Sequence, residues 1–265
     1  MRSGPGRWVQ VIGGLLRTSV AAAMQYRADF LFDGLTSVFR LGSAVAPVLL
    51  VYQHRTVVVG WTEAQATVVL GLYFVLQGVL AMFVEPNLGE IVESIRTGSL
   101  DFLLIKPIDA QLIASARRVS PYRSADVLAG VVLVGWSLWG LPAPSVGDVG
   151  LAVAMLLAGV ASMYSIWLLA ICTSFWFVRV DNLRFLIGSA TDAGRLPLQV
   201  FSRWVQVLLI VVVPVGLFTT FPAMALRGTL PWTWAVAGGA VAVGFVLVSR
   251  AVWTAALGSY TSASS

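Results

Sequence analysis

The chain holds one cysteine, one histidine and one lysine among 265 residues, and charged residues make up only 11% of it. Each scarcity excludes a class of chemistry. Cys172, alone in an apolar run, supports neither a disulfide framework nor a thiolate metal site. His54 stands by itself in a connecting loop, so no histidine ligand set exists. The only lysine, Lys106, follows Ile105 rather than a glycine, and no Gly-x-x-x-x-Gly-Lys-Ser/Thr run occurs to cradle nucleotide phosphates. Gly-x-Ser-x-Gly and His-Glu-x-x-His patterns are missing too, as are the clustered Asp, Glu or His residues of a membrane-embedded transferase or protease. There is no internal repeat, no low-complexity stretch beyond the serine-rich tail 259–265, and no linker that divides the chain. It therefore reads as a single domain over 1–265.

What the chain has is apolar length. Hydrophobic residues make up 58% and the mean hydropathy is +0.87, values that exclude an ordinary water-soluble domain. Cutting at the apolar runs predicts an all-α polytopic membrane protein with six transmembrane helices, over residues 35–52, 64–84, 127–141, 149–178, 205–221 and 232–249. The fourth run is long enough to tilt or project from the bilayer. The third is short and borrows from 122–126.

Of the 17 Lys and Arg residues, 14 fall before the first run, between the second and third, between the fourth and fifth, or after the sixth. Only Arg55 and Arg227 occupy the alternate loops, and Arg40 lies within a run. This asymmetry predicts a multi-pass protein of a plasma membrane with both termini cytoplasmic. It also accounts for the net charge of +5 through anionic headgroups, without a nucleic-acid partner. The first residues imitate a cleavable signal, but Arg17 interrupts its order. Trp8, Ile12, Leu15, Ala22, Tyr26 and Phe30 recur at helical steps instead, predicting an amino-terminal helix lying in the membrane interface.

Polar residues inside the runs are the places to look for function. Asp33 and Arg40 share a face of the first run, where Arg40 reaches the headgroups by snorkelling or else packs against a partner membrane subunit or the mouth of a pathway. Gln77, flanked by Gly71 and Gly78, makes a helix-packing hydrogen bond or lines a translocation surface. Pro47 and Pro214 kink the first and fifth runs. Residues 179–203, with Asp181, Asn182, Arg184, Asp192 and Arg195, read as a solvated charged loop or else as a contact for a soluble partner. The segment 222–231, bracketed by prolines, is too short to span and too apolar for a free loop, so it reads as re-entrant.

The segment 85–120 carries the sharpest pattern. Pro86 suits a helix start, and Leu88, Ile91, Val92 and Ile95 fall at i, i+3, i+4 and i+7. Glu90, Glu93 and Arg96 take the other face, and Gly98 ends the helix. Such an amphipathic helix either rests on its own spans and lipid or is presented to a soluble partner. Residues 98–111, GSLDFLLIKPIDAQ, follow with Asp101, Lys106 and Pro107. Asp109 then caps a second helix through Ser120.

The run LLIKPID after the second span, together with VPVGLFTTFPAMALRG over 213–228, resembles type-2 ABC-transporter permeases, in a bacterial branch with two permeases and a separate ATPase. The resemblance covers the whole length. It implies an exporter or efflux subunit that is not itself an enzyme, with no cofactor of its own and with ATP and Mg on a partner ABC ATPase. It also implies a second permease, homologous or identical, and a coupling helix over 86–97. A pathway lined by apolar and aromatic groups favours an amphiphilic, drug-like or lipidic substrate. The alternative is a non-transporting membrane anchor or regulatory subunit of a multi-protein complex.

Overall fold

The computed structural model describes residues 13–14, 17–18, 27–105, 109–175 and 181–260. The interfacial amino-terminal helix thus falls outside the described residues except for 13–14 and 17–18, which are helical. Lys106, Pro107 and Arg179 lie outside them as well, as do the side chains of Asp181, Asn182 and Arg184.

Helix α1 (Arg27–His54) runs through Pro47 without interruption and leads into a two-stranded hairpin, β1 (Val57–Val58) and β2 (Trp61–Thr62). Its two-residue turn places both Val59 and Gly60 at positive φ, 51° and 81°, matching the twist of the paired strands. Gln65 Oε1 accepts from the Thr62 backbone N–H at 3.1 Å and opens α2 (Glu63–Val79). A π-helical turn, Leu80–Val84, joins α2 to α3 (Glu85–Thr97), making one 35-residue rod. Gly98, at φ 73°, stops the rod as its left-handed cap.

Short helices α4 (Asp101–Leu104) and α5 (Ala110–Ala116) follow, α5 capped by Asp109 and ending before the expected Ser120. A 3-10 turn, Pro121–Arg123, then opens α6 (Ser124–Leu138). Helices α2 and α6 touch backbone to backbone. A methyl placed on Gly130 would lie 2.6 Å from the Gly71 carbonyl oxygen, and one on Gly78 would lie 2.7 Å from the Val127 nitrogen. Because lipid is as apolar as leucine, this close approach through small residues is what holds such helices together.

Helix α7 (Val146–Cys172) starts from a reciprocal cap between Ser145 and Asp148. After it come α8 (Asp181–Asp192), two 3-10 turns (Ala193–Arg195 and Leu198–Val200), α9 (Arg203–Val211), α10 (Val215–Phe218), α11 (Thr220–Leu226) and α12 (Trp232–Ser259). Among the described residues, four helices are long and apolar enough to cross a membrane: Phe32–His54, Glu63–Thr97, Val146–Phe175 and Trp232–Ser259. A fifth is reached if the bent pair Arg203–Val211 and Val215–Leu226 counts as one. The chain is a multi-pass membrane protein. Helix α6, at 15 residues, rises only about 22 Å.

The expected kink at Pro214 is present: residues 205–221 are not one straight helix, because Pro214 has no N–H to continue the ladder and the chain bends by 74° there, as a broken span or a re-entrant turn. One expectation for the carboxy-terminal half is corrected, since 179–203 is not a solvated loop throughout. Asp192 meets Tyr73 in the middle of α2, whereas Gln199 accepts from the indole N–H of Trp61 at 3.1 Å, at the hairpin end. These levels are separated by roughly 18 Å of helix rise, so residues 192–199 climb along α2. From there α9 turns back towards the centre, and α10 and α11 return to the hairpin end.

Phe218, fully buried, seats this turn by stacking its Cβ against Gly159 of α7, where an added methyl would lie 2.3 Å away. The core cluster that holds Phe218 extends to the other end, called the basic end here because it gathers Arg96, Arg117, Arg118, Arg123 and Arg250, and includes there Leu88, Ile91, Ile171, Cys172, Ile187, Trp253 and Ala256. Separate clusters around Trp61, Val69 and Leu226 and around Val48, Leu70 and Leu133 fill the hairpin half.

Candidate functional site: a polar-to-apolar groove beside the central rod

Arg40 turns its guanidinium onto α6. Its Nη2 donates to both carboxylate oxygens of Asp126 at 2.9 Å, and Asp126 is only 3% exposed. A carboxylate so desolvated requires a cation beside it, and the first turn of α6 brings it opposite α1. Arg123 Nη1 stands 4.0 Å from the same carboxylate. One turn nearer the hairpin end, Gln77 donates to the Tyr73 hydroxyl at 3.1 Å, Tyr73 donates to Asp192, and Arg195 donates to Asp192 at 2.9 Å while lying 5.3 Å from the Tyr73 ring centroid. Together with Ser43 and Glu85 these groups line a cavity of about 320 Å³ between α1, α2, α6 and the 192–195 turn.

A second cavity of about 440 Å³ continues from it, sharing Ser43, Asp192 and Arg195. Its walls are apolar: Pro47 and Val48 of α1, Ala66 and Leu70 of α2, and Pro197 and Val200 of the climbing segment. The two cavities form one groove, ionic towards the basic end and apolar towards the hairpin end. Of the expected pathway residues, Arg40 and Gln77 are brought together here. Asp33 is on α1 outside the lining, and Pro214 is buried at the bend between α9 and α10.

The expected coupling helix is α3, but its apolar face is turned inward. Leu88 and Ile91 are buried in the core cluster, Ile91 at 2% exposure, with Val92 and Ile95 packed against it. That placement corrects the expectation of an apolar surface offered to a soluble partner, because the bundle end needs those side chains to close its own core. Glu90 pairs with Arg117 at 3.3 Å and Arg118 at 3.0 Å, leaving Glu93, Arg96 and Thr97 as the exposed face. Pro86 sits in the first turn.

Beside that face, Phe102 and Ile105 are 73% and 78% exposed. The whole basic-end module is strapped down. Asn87, buried, donates to the Arg118 carbonyl and accepts from the Arg118 N–H, both at 2.7 Å. Ser115 and Gln111 bond the Tyr164 hydroxyl of α7 at 2.6 and 3.1 Å. Arg250 of α12 donates to Asp109 and, at 2.8 Å, to Gln111. The Arg250 guanidinium holds the Asp109 carboxyl below the usual carboxylate range, against a smaller opposing effect of desolvation.

Among the described residues no group of three or more His, Cys, Asp or Glu is placed to hold a metal ion. The arrangement is a groove, ionic at one end and apolar at the other, beside a continuous helical rod. The family model described as ABC-2 family transporter protein matches residues 42–264. The chain belongs to the ABC-2 transporter family. Comparison with curated proteins gives no match at all, and comparison with solved structures gives none. As an ABC-2 protein it is a membrane component of an ABC transporter, a family whose members work with an ABC ATPase. The family match begins at residue 42, so the central rod, the groove's α2 and α6 walls and the strapped module all fall within it, while Arg40 stands just before it.

Sequence reasoning missed Tyr73, Glu85 and Asp126 in the groove, and Asn87 and Tyr164 in the module. Asp126 was legible in principle, since a carboxylate bordering an apolar run demands a partner and Arg40 was an intramembrane candidate.

Proposed function

We infer that this ABC-2 protein is a permease subunit of an ATP-driven exporter, paired with a second permease, homologous or identical, and driven by separate ATPase chains that bind ATP and Mg. Six crossings follow if α6 and the 181–200 segment each count as one and 203–226 as a re-entrant turn. With Arg195 at mid-depth and Arg203 at the hairpin end, the basic side retains 14 − 2 = 12 Lys and Arg residues against three, Arg55, Arg203 and Arg227. The positive-inside rule then places the basic end and both termini in the cytoplasm of a bacterial plasma membrane.

The observation that carries this reading is the unbroken rod Glu63–Thr97, whose one end forms the groove wall and whose other end carries the exposed Glu93–Arg96–Thr97 face. An ATPase docked on that face and on Phe102 and Ile105 moves the groove wall directly. The Asp109–Arg250 and Ser115–Tyr164 contacts pass the same displacement to α12 and α7. The family and the missing phosphate-binding loop both favour a separate ATPase. Purification of the tagged chain from its native membrane, with mass spectrometry of what accompanies it, tests the reading: a chain containing a Gly-x-x-x-x-Gly-Lys-Ser/Thr run should co-purify in stoichiometric amount, and its repeated absence would contradict the proposal.

A further inference from the structure

The charges in the polar half of the groove do not cancel pairwise. Asp126 is neutralised by Arg40, and Asp192 by Arg195 with the Tyr73 hydroxyl. Arg123 is left sharing a carboxylate that Arg40 already holds, at the longer distance of 4.0 Å. The Glu85 carboxylate lines the same cavity with neither a hydrogen bond nor an ion pair among the described residues. Two residual charges of opposite sign therefore face one cavity, next to an apolar trench about 440 Å³ in volume.

We propose that the groove binds a zwitterionic amphiphile, its cationic group on Glu85, its anionic group towards Arg123, and its tail along Pro47, Val48, Leu70 and Pro197. This rests on the permease reading for what the binding serves, but not for the binding itself. The dimensions fit. Glu85 lies 15 residues beyond Leu70 along the rod, roughly 22 Å of rise, which is the length of a headgroup plus an acyl chain. The orientation fits as well, since the ionic half is at the basic end, so an amphiphile from the cytoplasmic leaflet enters without inverting. A head of single net charge leaves one of the two residues unmatched, and a charge that the bound amphiphile covers without pairing is costly.

The test uses the full-length chain in a non-ionic maltoside detergent and three tail-labelled probes of equal chain length, bearing phosphocholine, trimethylammonium or sulfate heads. Fluorescence anisotropy should rank phosphocholine first by about tenfold, the size of one charge contact retained or lost. Glu85→Gln should move first place to the sulfate probe and Arg123→Gln to the trimethylammonium probe. Arg123→Lys, which keeps the charge, should keep the original order. Ala44→Trp, which fills the trench, should weaken all three probes together. An order that neither variant changes, or tail binding unaffected by Ala44→Trp, would overturn the proposal. No ATPase is present, so failure here leaves the permease reading standing. Normal binding without any co-purifying ATPase would sink that reading and keep this one.

Discussion

The Arg40–Asp126 pair should behave as a single energetic unit, and a double-mutant cycle measures it. Breaking a fully buried pair from one side costs about 3–5 kcal/mol, whereas exposed pairs contribute about 0.2–1 kcal/mol. Asp126 is 3% exposed but the Arg40 side chain is 42% exposed, so solvent screens part of the attraction and the coupling belongs between these limits. About 2 kcal/mol follows, a factor of roughly 30 in the folded-to-unfolded ratio. The unique Cys172, fully buried in the basic-end core, supplies the assay, because a thiol-reactive fluorogenic dye labels it only on opening. Arg40→Gln and Asp126→Asn should each accelerate labelling in detergent, and the double variant should be little worse than either. Additive effects, with a coupling below about 0.5 kcal/mol, would refute the pairing and return Arg40 to the headgroups.

Gly130→Leu should abolish accumulation of folded protein, since the added side chain meets the Gly71 carbonyl at once, while Gly135→Leu, with nothing within 4 Å, should be tolerated; expression and size-exclusion profiles compare them. Ile91→Glu should unfold the basic end, because it buries an unpaired charge, whereas Arg96→Glu should leave the monomer intact and release the ATPase, as read by dye labelling of Cys172 and by pull-down. Introduced cysteines in a Cys172→Ser background should react with an impermeant reagent in intact cells at Ser202 and Thr229 but not at Thr97; labelling at Thr97 alone would reverse the orientation. The Asp109 carboxyl is lowered, so the Asp109–Arg250 strap is intact above the ordinary carboxylate value and is lost as pH falls through the depressed one. Asp109→Asn should therefore remove a loosening step that the unmodified chain shows only below about pH 4.

The sequence made the membrane class, the ends of α3 and the Asp109 cap legible, because a charge-free apolar run, a proline at a helix start and a glycine after its end each act locally. It did not reveal which way α3 faces. Leu88 and Ile91 recur at helical spacing whether the partner is another protein or the chain's own α7 and Trp253, and periodicity alone does not distinguish them. In the fifth apolar run the kink at Pro214 was legible, but its 74° size was not, since it depends on Phe218 seating its Cβ against Gly159 of α7. The groove was least visible of all, since it joins residues as far apart as Arg40 and Asp126, or Tyr73 and Asp192, and only the packing of α1, α2 and α6 puts them side by side.

ATP-dependent uptake of a tail-labelled amphiphile into inside-out vesicles, holding this chain with its co-purified ATPase, tests the central claim most directly. The account predicts uptake that requires ATP, Mg and both proteins, and that Arg96→Glu abolishes while the chain stays folded. Uptake that persists without the ATPase, or ATP hydrolysis by the pure chain alone, would contradict it.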